Sequence, residues 1–126
     1  MIAGIDHFVL TVRSVDETCA FYRRVLGFKR VDAPNLPTAL LFGTQKINVH
    51  EAGHTFEPKA KAPAPGSADF CLVASCPLSE ICDRLAANGV ATEVGPVERI
   101  GARGPMISVY FRDPDGNLVE VSDYGR

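Results

Sequence analysis

Four polar residues, His7, His50, Asp69 and Glu120, interrupt segments whose neighbours are Ile, Phe, Val, Leu and Cys. A carboxylate or imidazole placed in such a setting costs several kcal/mol unless it is paired or bound to a metal. Two imidazoles and two carboxylates that converge would satisfy one another on a divalent ion, and that donor set suits Zn²⁺, Ni²⁺, Mn²⁺ or Fe²⁺. It holds too few oxygens to favour Ca²⁺. Alternatives stay open at two positions. Strand faces alternate with period two, so His50 can face away and leave Glu51 to point inward. Asp69 can be a ligand, a partner orienting a histidine, or a general base.

The elements that must position these residues occur twice. Ile5 to Val12 reads as an apolar strand, and Ser14-Val15-Asp16-Glu17 supplies a capping box for a helix. Val15, Cys19, Tyr22 and Leu26 form its apolar face, and Gly27 ends it. Short strands follow at Phe28 to Val31, Ala39 to Phe42 and Lys46 to His50. The order then restarts with a strand from Ala68 to Ala74 and a helix from about Pro77, with Leu78, Ile81, Cys82 and Leu85 on one face and Asn88-Gly89 at its end. Strands Thr92 to Val94, Ile107 to Phe111 and Leu118 to Ser122 complete it, the last two joined by the turn Asp113-Pro114-Asp115-Gly116-Asn117. The expected fold is α+β: two βαβββ repeats, about 4–53 and 67–126, in a single domain over 1–126. The Pro- and Ala-rich stretch of about 54–66 serves as linker. Laying the repeats over each other sets His7 opposite Asp69 and His50 opposite Glu120, the latter with one extra residue in the second hairpin.

Bulk properties exclude other classes. The chain of 126 residues is 46% hydrophobic and 22% charged with a net charge of −2, so no basic stripe exists for nucleic acid and no apolar run is long enough for a membrane span. The N-terminal sequence lacks a signal-peptide pattern. Four cysteines (Cys19, Cys71, Cys76, Cys82) without a CxxC pair read as buried reduced thiols, and a cytoplasmic protein is expected.

The segments IDHFVLTV, FYRRVLGF and YFRDPDGNLVEV resemble the glyoxalase/bleomycin-resistance/extradiol-dioxygenase superfamily, the vicinal oxygen chelate proteins. KINVHEAG, EPKA, PGSAD and GPVERIGARGP are similar to small bacterial glyoxalase-like (lactoylglutathione lyase-like) members. The resemblance implies a cupped mixed sheet around a metal site, with ligands on the first and last strands of each half: His7, His50, Asp69 and Glu120. The order His, His, Asp, Glu departs from the His, Glu, His, Glu of glyoxalase I enzymes. In extradiol dioxygenases the second His stands where this chain has Asp69.

The resemblance thus implies a glyoxalase I-like lyase acting on a thiol adduct of a 2-oxoaldehyde, with glutathione as a candidate co-substrate. The metal would stabilise an enediolate, and Glu120 or, second, Asp69 would act as base. Arg99 and Arg103 can hold a substrate carboxylate, the competing reading being solvated loop arginines. Alternative functions are an iron(II) extradiol-type dioxygenase using His7, His50 and Glu120, a thiol-transferring resistance enzyme, or a metal-free antibiotic-binding module. The partner expected is a small-molecule substrate, and exposed sheet edges point to a homodimer.

Overall fold

A computed structural model describes residues 1–125. The element order is β1 (His7–Val12), α1 (Val15–Leu26), β2 (Lys29–Val31), β3 (Thr38–Phe42) and β4 (Gln45–Glu51). It continues through β5 (Asp69–Val73), α2 (Leu78–Ala87), β6 (Val94–Gly101), β7 (Gly104–Arg112) and β8 (Leu118–Asp123). The chain divides into two compact units, Met1–Ser67 and Ala68–Arg126. Each contains one four-stranded mixed sheet, ordered β1-β4-β3-β2 in the first and β5-β8-β7-β6 in the second. The identical orders establish the βαβββ repeat. No helix among the described residues is long and apolar enough to cross a membrane.

Local chemistry explains the elements of the first unit. The Ser14 side chain accepts from the backbone N–H of Glu17 at 3.1 Å, and Gly27, with φ 72°, lets its N–H return to the carbonyls of Arg23 and Tyr22. The buried face of α1 is Thr18, Cys19, Phe21, Tyr22 and Val25, which keeps Cys19 and Tyr22 of the expected stripe and leaves Val15 and Leu26 half-buried. The helix packs on β2, β3 and β4, and Leu10 and Val12 of β1, Leu40 of β3, and Ile47 and Val49 of β4 are at most 2% exposed. Arg30 ties β2 to the helix, bonding Asp16 at 2.7 Å while its Nε bonds Asp32 at 2.9 Å.

In the second unit α2 packs on β7 and β8 through Leu78, Ile81 and Leu85, over Val109, Phe111, Val119 and Val121. Cys82 stays half-buried. The strand expected at Thr92 to Val94 instead begins at Val94 and runs to Gly101. Its pairing with β7 is interrupted by a register shift between Val94 and Val97, so Gly95-Pro96, which reads as a strand breaker, marks a bulge inside a longer strand. A Cβ at Gly95, whose φ is 102°, would collide with the Ser108 carbonyl oxygen. Gly95→Ala is therefore expected to destabilise the fold by about 3 kcal/mol, lowering Tm by roughly 10 °C. A thermal melt unchanged from wild type would refute this account of the bulge.

Candidate functional site

Register decides which side chains share a face. In the first unit Phe8, Leu10 and Val12 pair with Ile47, Val49 and Glu51. Glu51 Oε1 accepts from the first helical N–H, that of Val15, at 3.4 Å, so this set faces α1. The alternation settles one open alternative: Glu51 serves the helix N-terminus, and His50 stands on the other face with His7, Val9, Thr11, Lys46 and Asn48. In the second unit the corresponding helix-free face carries Asp69, Cys71 and Val73 of β5 beside Leu118, Glu120 and Ser122 of β8.

The same registers correct the expected pairing of the repeats. Asp69 lies opposite Leu118, two residues before Glu120. His7 lies opposite Lys46, and two residues on from Lys46 is Asn48. The counterpart of Glu120 is thus Asn48, not His50, and the counterpart of His50 is Ser122. At about 3.3 Å per residue and about 4.8 Å between strands, His7 and Asn48 are about 8 Å apart at Cα, as are Asp69 and Glu120. His7 and His50 are about 14 Å apart on a surface whose side chains stand roughly perpendicular to it, too far to share one ion on that sheet. Among the described residues no group of three or more His, Cys, Asp or Glu side chains is gathered as a metal site.

Each donor has its own surroundings. The exposed His7 ring bonds Asp6 Oδ1 through Nδ1 at 2.7 Å. With the proton held there, Nε2 keeps a free lone pair, the arrangement a metal-binding imidazole uses. Asp69 is exposed, and its charge acts on Arg112, whose guanidinium is already paired with both Glu93 oxygens at 3.0 Å. The Glu120 carboxylate, half-buried, accepts from Ser122 Oγ at 3.2 Å. His7, Asp69 and Glu120 each offer a donor atom suited to a divalent ion, and within the first sheet His50 does not stand level with His7.

His50 is 4% exposed, and its Nδ1, like Asn48 Oδ1, is a buried polar atom without a partner. Unpartnered buried atoms are rare enough to mark a place a ligand or ordered water would occupy. Asn48 does not stand out in the sequence because an amide in a strand carries no charge, and only the register of β1 and β4 places it beside His7. Burial, with the Lys59 charge adding, pushes the His50 pKa below the usual imidazole value. Between that lowered value and about 6.5 the unfolded chain binds a proton the folded chain refuses, so stability falls as pH drops from about 7 towards 5. His50→Gln is expected to flatten that part of the Tm–pH curve, and equal slopes in the two proteins would contradict it.

The arginines and cysteines differ from expectation. Arg99 lies within β6, not in a loop, its guanidinium stacked 5.4 Å over Tyr110 with Nε donating to the phenol oxygen at 3.1 Å. Arg103, in the β6–β7 turn, stacks 4.2 Å over Tyr124. All four cysteines are free; Cys19 is buried, Cys76 and Cys82 are half-buried, and Cys71, on the helix-free face, is exposed. Desolvation nevertheless pushes the Cys71 thiol up in pKa, and the Glu120 charge adds to the effect.

Comparison with known proteins agrees with this architecture. The sequence profile described as Glyoxalase/Bleomycin resistance protein/Dioxygenase superfamily matches residues 4–121. The chain is 48% identical to the Salmonella typhimurium virulence protein STM3117 over 98% of its own length and 86% of that protein's. The crystal structure of that protein superposes with a TM-score of 0.96 over 99% of both chains. A glyoxalase domain-containing protein, RDO1 of Mycosarcoma maydis, is 45% identical over 98% of this chain and 69% of that one. A lactoylglutathione lyase from Agrobacterium tumefaciens has a TM-score of 0.73 at 27% identity, over 98% and 95% of the two chains.

Proposed function

Because the chain belongs to the Glyoxalase/Bleomycin resistance protein/Dioxygenase superfamily, we propose that it is a metal-dependent lyase of the glyoxalase I kind, isomerising the thiol adduct of a 2-oxoaldehyde. The observation that carries this reading is the matched pair of polar positions on the helix-free faces, His7 with Asn48 and Asp69 with Glu120, together with the Asp6 bond that leaves His7 Nε2 free.

His7, Asp69 and Glu120 would hold the divalent ion, with Asn48 beside His7 as a neutral oxygen donor to ion or substrate. When bound, that ion supplies a Lewis acid for two adjacent substrate oxygens. Glu120 takes the proton from the carbon bearing the thioether and delivers it to the neighbouring carbonyl carbon, so its carboxylate must reach both carbons. Asp69 is the second candidate for that proton. Glutathione is the proposed co-substrate thiol, the cytoplasm the proposed compartment, and a homodimer the proposed assembly.

The iron(II) dioxygenase reading would use His7 and His50 together, and the four-residue step between them along the first sheet speaks against it. The deciding experiment loads metal-free protein with Zn²⁺, Ni²⁺, Mn²⁺ or Fe²⁺ and follows isomerisation of the methylglyoxal–glutathione hemithioacetal. Turnover with at least one ion is expected. A protein that binds metal tightly but isomerises nothing would sink the lyase reading.

A further inference from the structure

Three side chains converge on one hydroxyl beside Glu120. Ser122 Oγ lies 3.2 Å from Glu120 Oε2, 2.6 Å from Ser108 Oγ and 3.1 Å from Cys71 Sγ. Ser108 and Ser122 are fully buried. All four residues lie on the helix-free face of the second sheet: Ser108 is opposite Ser122 across β7 and β8, and Cys71 is opposite Glu120 across β5 and β8.

Counting protons fixes the direction of these bonds. An ionised carboxylate only accepts, and Ser122 has a single hydrogen, so that hydrogen goes to Glu120 Oε2. Both lone pairs of Ser122 Oγ are then free to accept, one from the Ser108 hydroxyl, while the single hydrogen of the Cys71 thiol is shared between Ser122 at 3.1 Å and the Leu72 carbonyl at 3.8 Å.

We propose that Ser122 is a positioning residue that clamps the Glu120 carboxylate by Oε2, with Ser108 and Cys71 fixing the Ser122 hydroxyl. A glutamate has three rotatable bonds, and on a half-exposed strand surface it samples several rotamers unless a bond selects one. Ser122, two residues on along the same strand and on the same face, is placed to do so, and its own hydroxyl rotor is held by the buried Ser108 and by Cys71. The inference rests on the role given to Glu120 above, but the clamp itself is a property of the metal-free chain.

The test uses Ser122→Ala and Ser122→Thr in the full chain. Side-chain NMR couplings at Glu120 in metal-free protein should report one rotamer in wild type and in the Thr variant, and averaging in the Ala variant. Calorimetric titration with Zn²⁺ should show affinity lowered about 10–100-fold by Ser122→Ala, as for other groups that orient a metal ligand, and restored by Ser122→Thr. A space-filling role for the serine would leave the rotamer and Zn²⁺ affinity of the Ala variant at wild-type values, which would overturn the proposal. Rotamer averaging already present in wild type would overturn it too. If wild type binds no Zn²⁺, Ni²⁺, Mn²⁺ or Fe²⁺, the metal reading fails, while the couplings still decide whether the clamp exists.

Discussion

Replacing His7 with alanine is expected to weaken binding of the divalent ion by more than about a hundredfold, and Glu120→Ala to do the same, whereas His50→Ala should stay within about threefold of wild type. Loss of a group that merely orients a ligand costs about 10–100-fold in metal affinity, so loss of the ligand itself exceeds that. The contrast between the two histidines follows from register. His7 offers a free Nε2 with its other nitrogen tied to Asp6 at 2.7 Å, while His50 lies opposite Thr11, four residues further along the strand and buried at 4% exposure. Calorimetry on metal-free protein reads the effect directly. Equal losses at both histidines would mean that the two imidazoles share the ion, and would restore the dioxygenase reading.

The largest effect on stability is expected at Phe111. Its side chain is fully buried among Val109, Val119 and Val121, beneath α2, which packs on β7 and β8. Truncation to alanine removes a whole ring from close-packed surroundings and should cost about 3–5 kcal/mol. Against a total stability of about 5–15 kcal/mol that is a large fraction. Phe56→Ala, at a ring 39% exposed, is the matched control and should cost under about 1 kcal/mol. Urea unfolding with an unchanged slope measures both. Comparable losses at the two positions would mean that the core is not centred where burial puts it.

Much of the fold was legible because its signals are local. Ser14 and Gly27 act within one helical turn, Asp113 to Asn117 forms its own turn, and the apolar periods of α1 and α2 follow from residues three and four apart. The repeat was visible because both halves reuse that grammar. What eluded the sequence was non-local. Period-two alternation tells which residues share a face but not which of two same-face residues stands level with a partner on another strand, so His50 and Asn48 exchanged places in the expected alignment. Glu51 stayed open as the alternative to His50 because alternation alone does not say which of two neighbours points inward, and its bond to Val15 fixes the face. Gly95-Pro96 read as an ending because both residues weaken strands, although β6 carries them through a bulge. Arg99 was accordingly taken for a loop residue.

The two-residue step between Asn48 and His50 also bears on how such a protein changes its chemistry over generations. A β-strand keeps its faces under any even displacement, so the surface around His7 can be rewritten at Asn48 without disturbing Ile47 or Val49 beneath it. Asn48→Glu would give the first sheet the acidic corner that the second already has in Glu120, and Asn48→His would give it a second imidazole within about 8 Å of the first. The scaffold therefore offers neighbouring chemistries a single codon apart, while the residues that secure folding lie on the opposite side of the same strand.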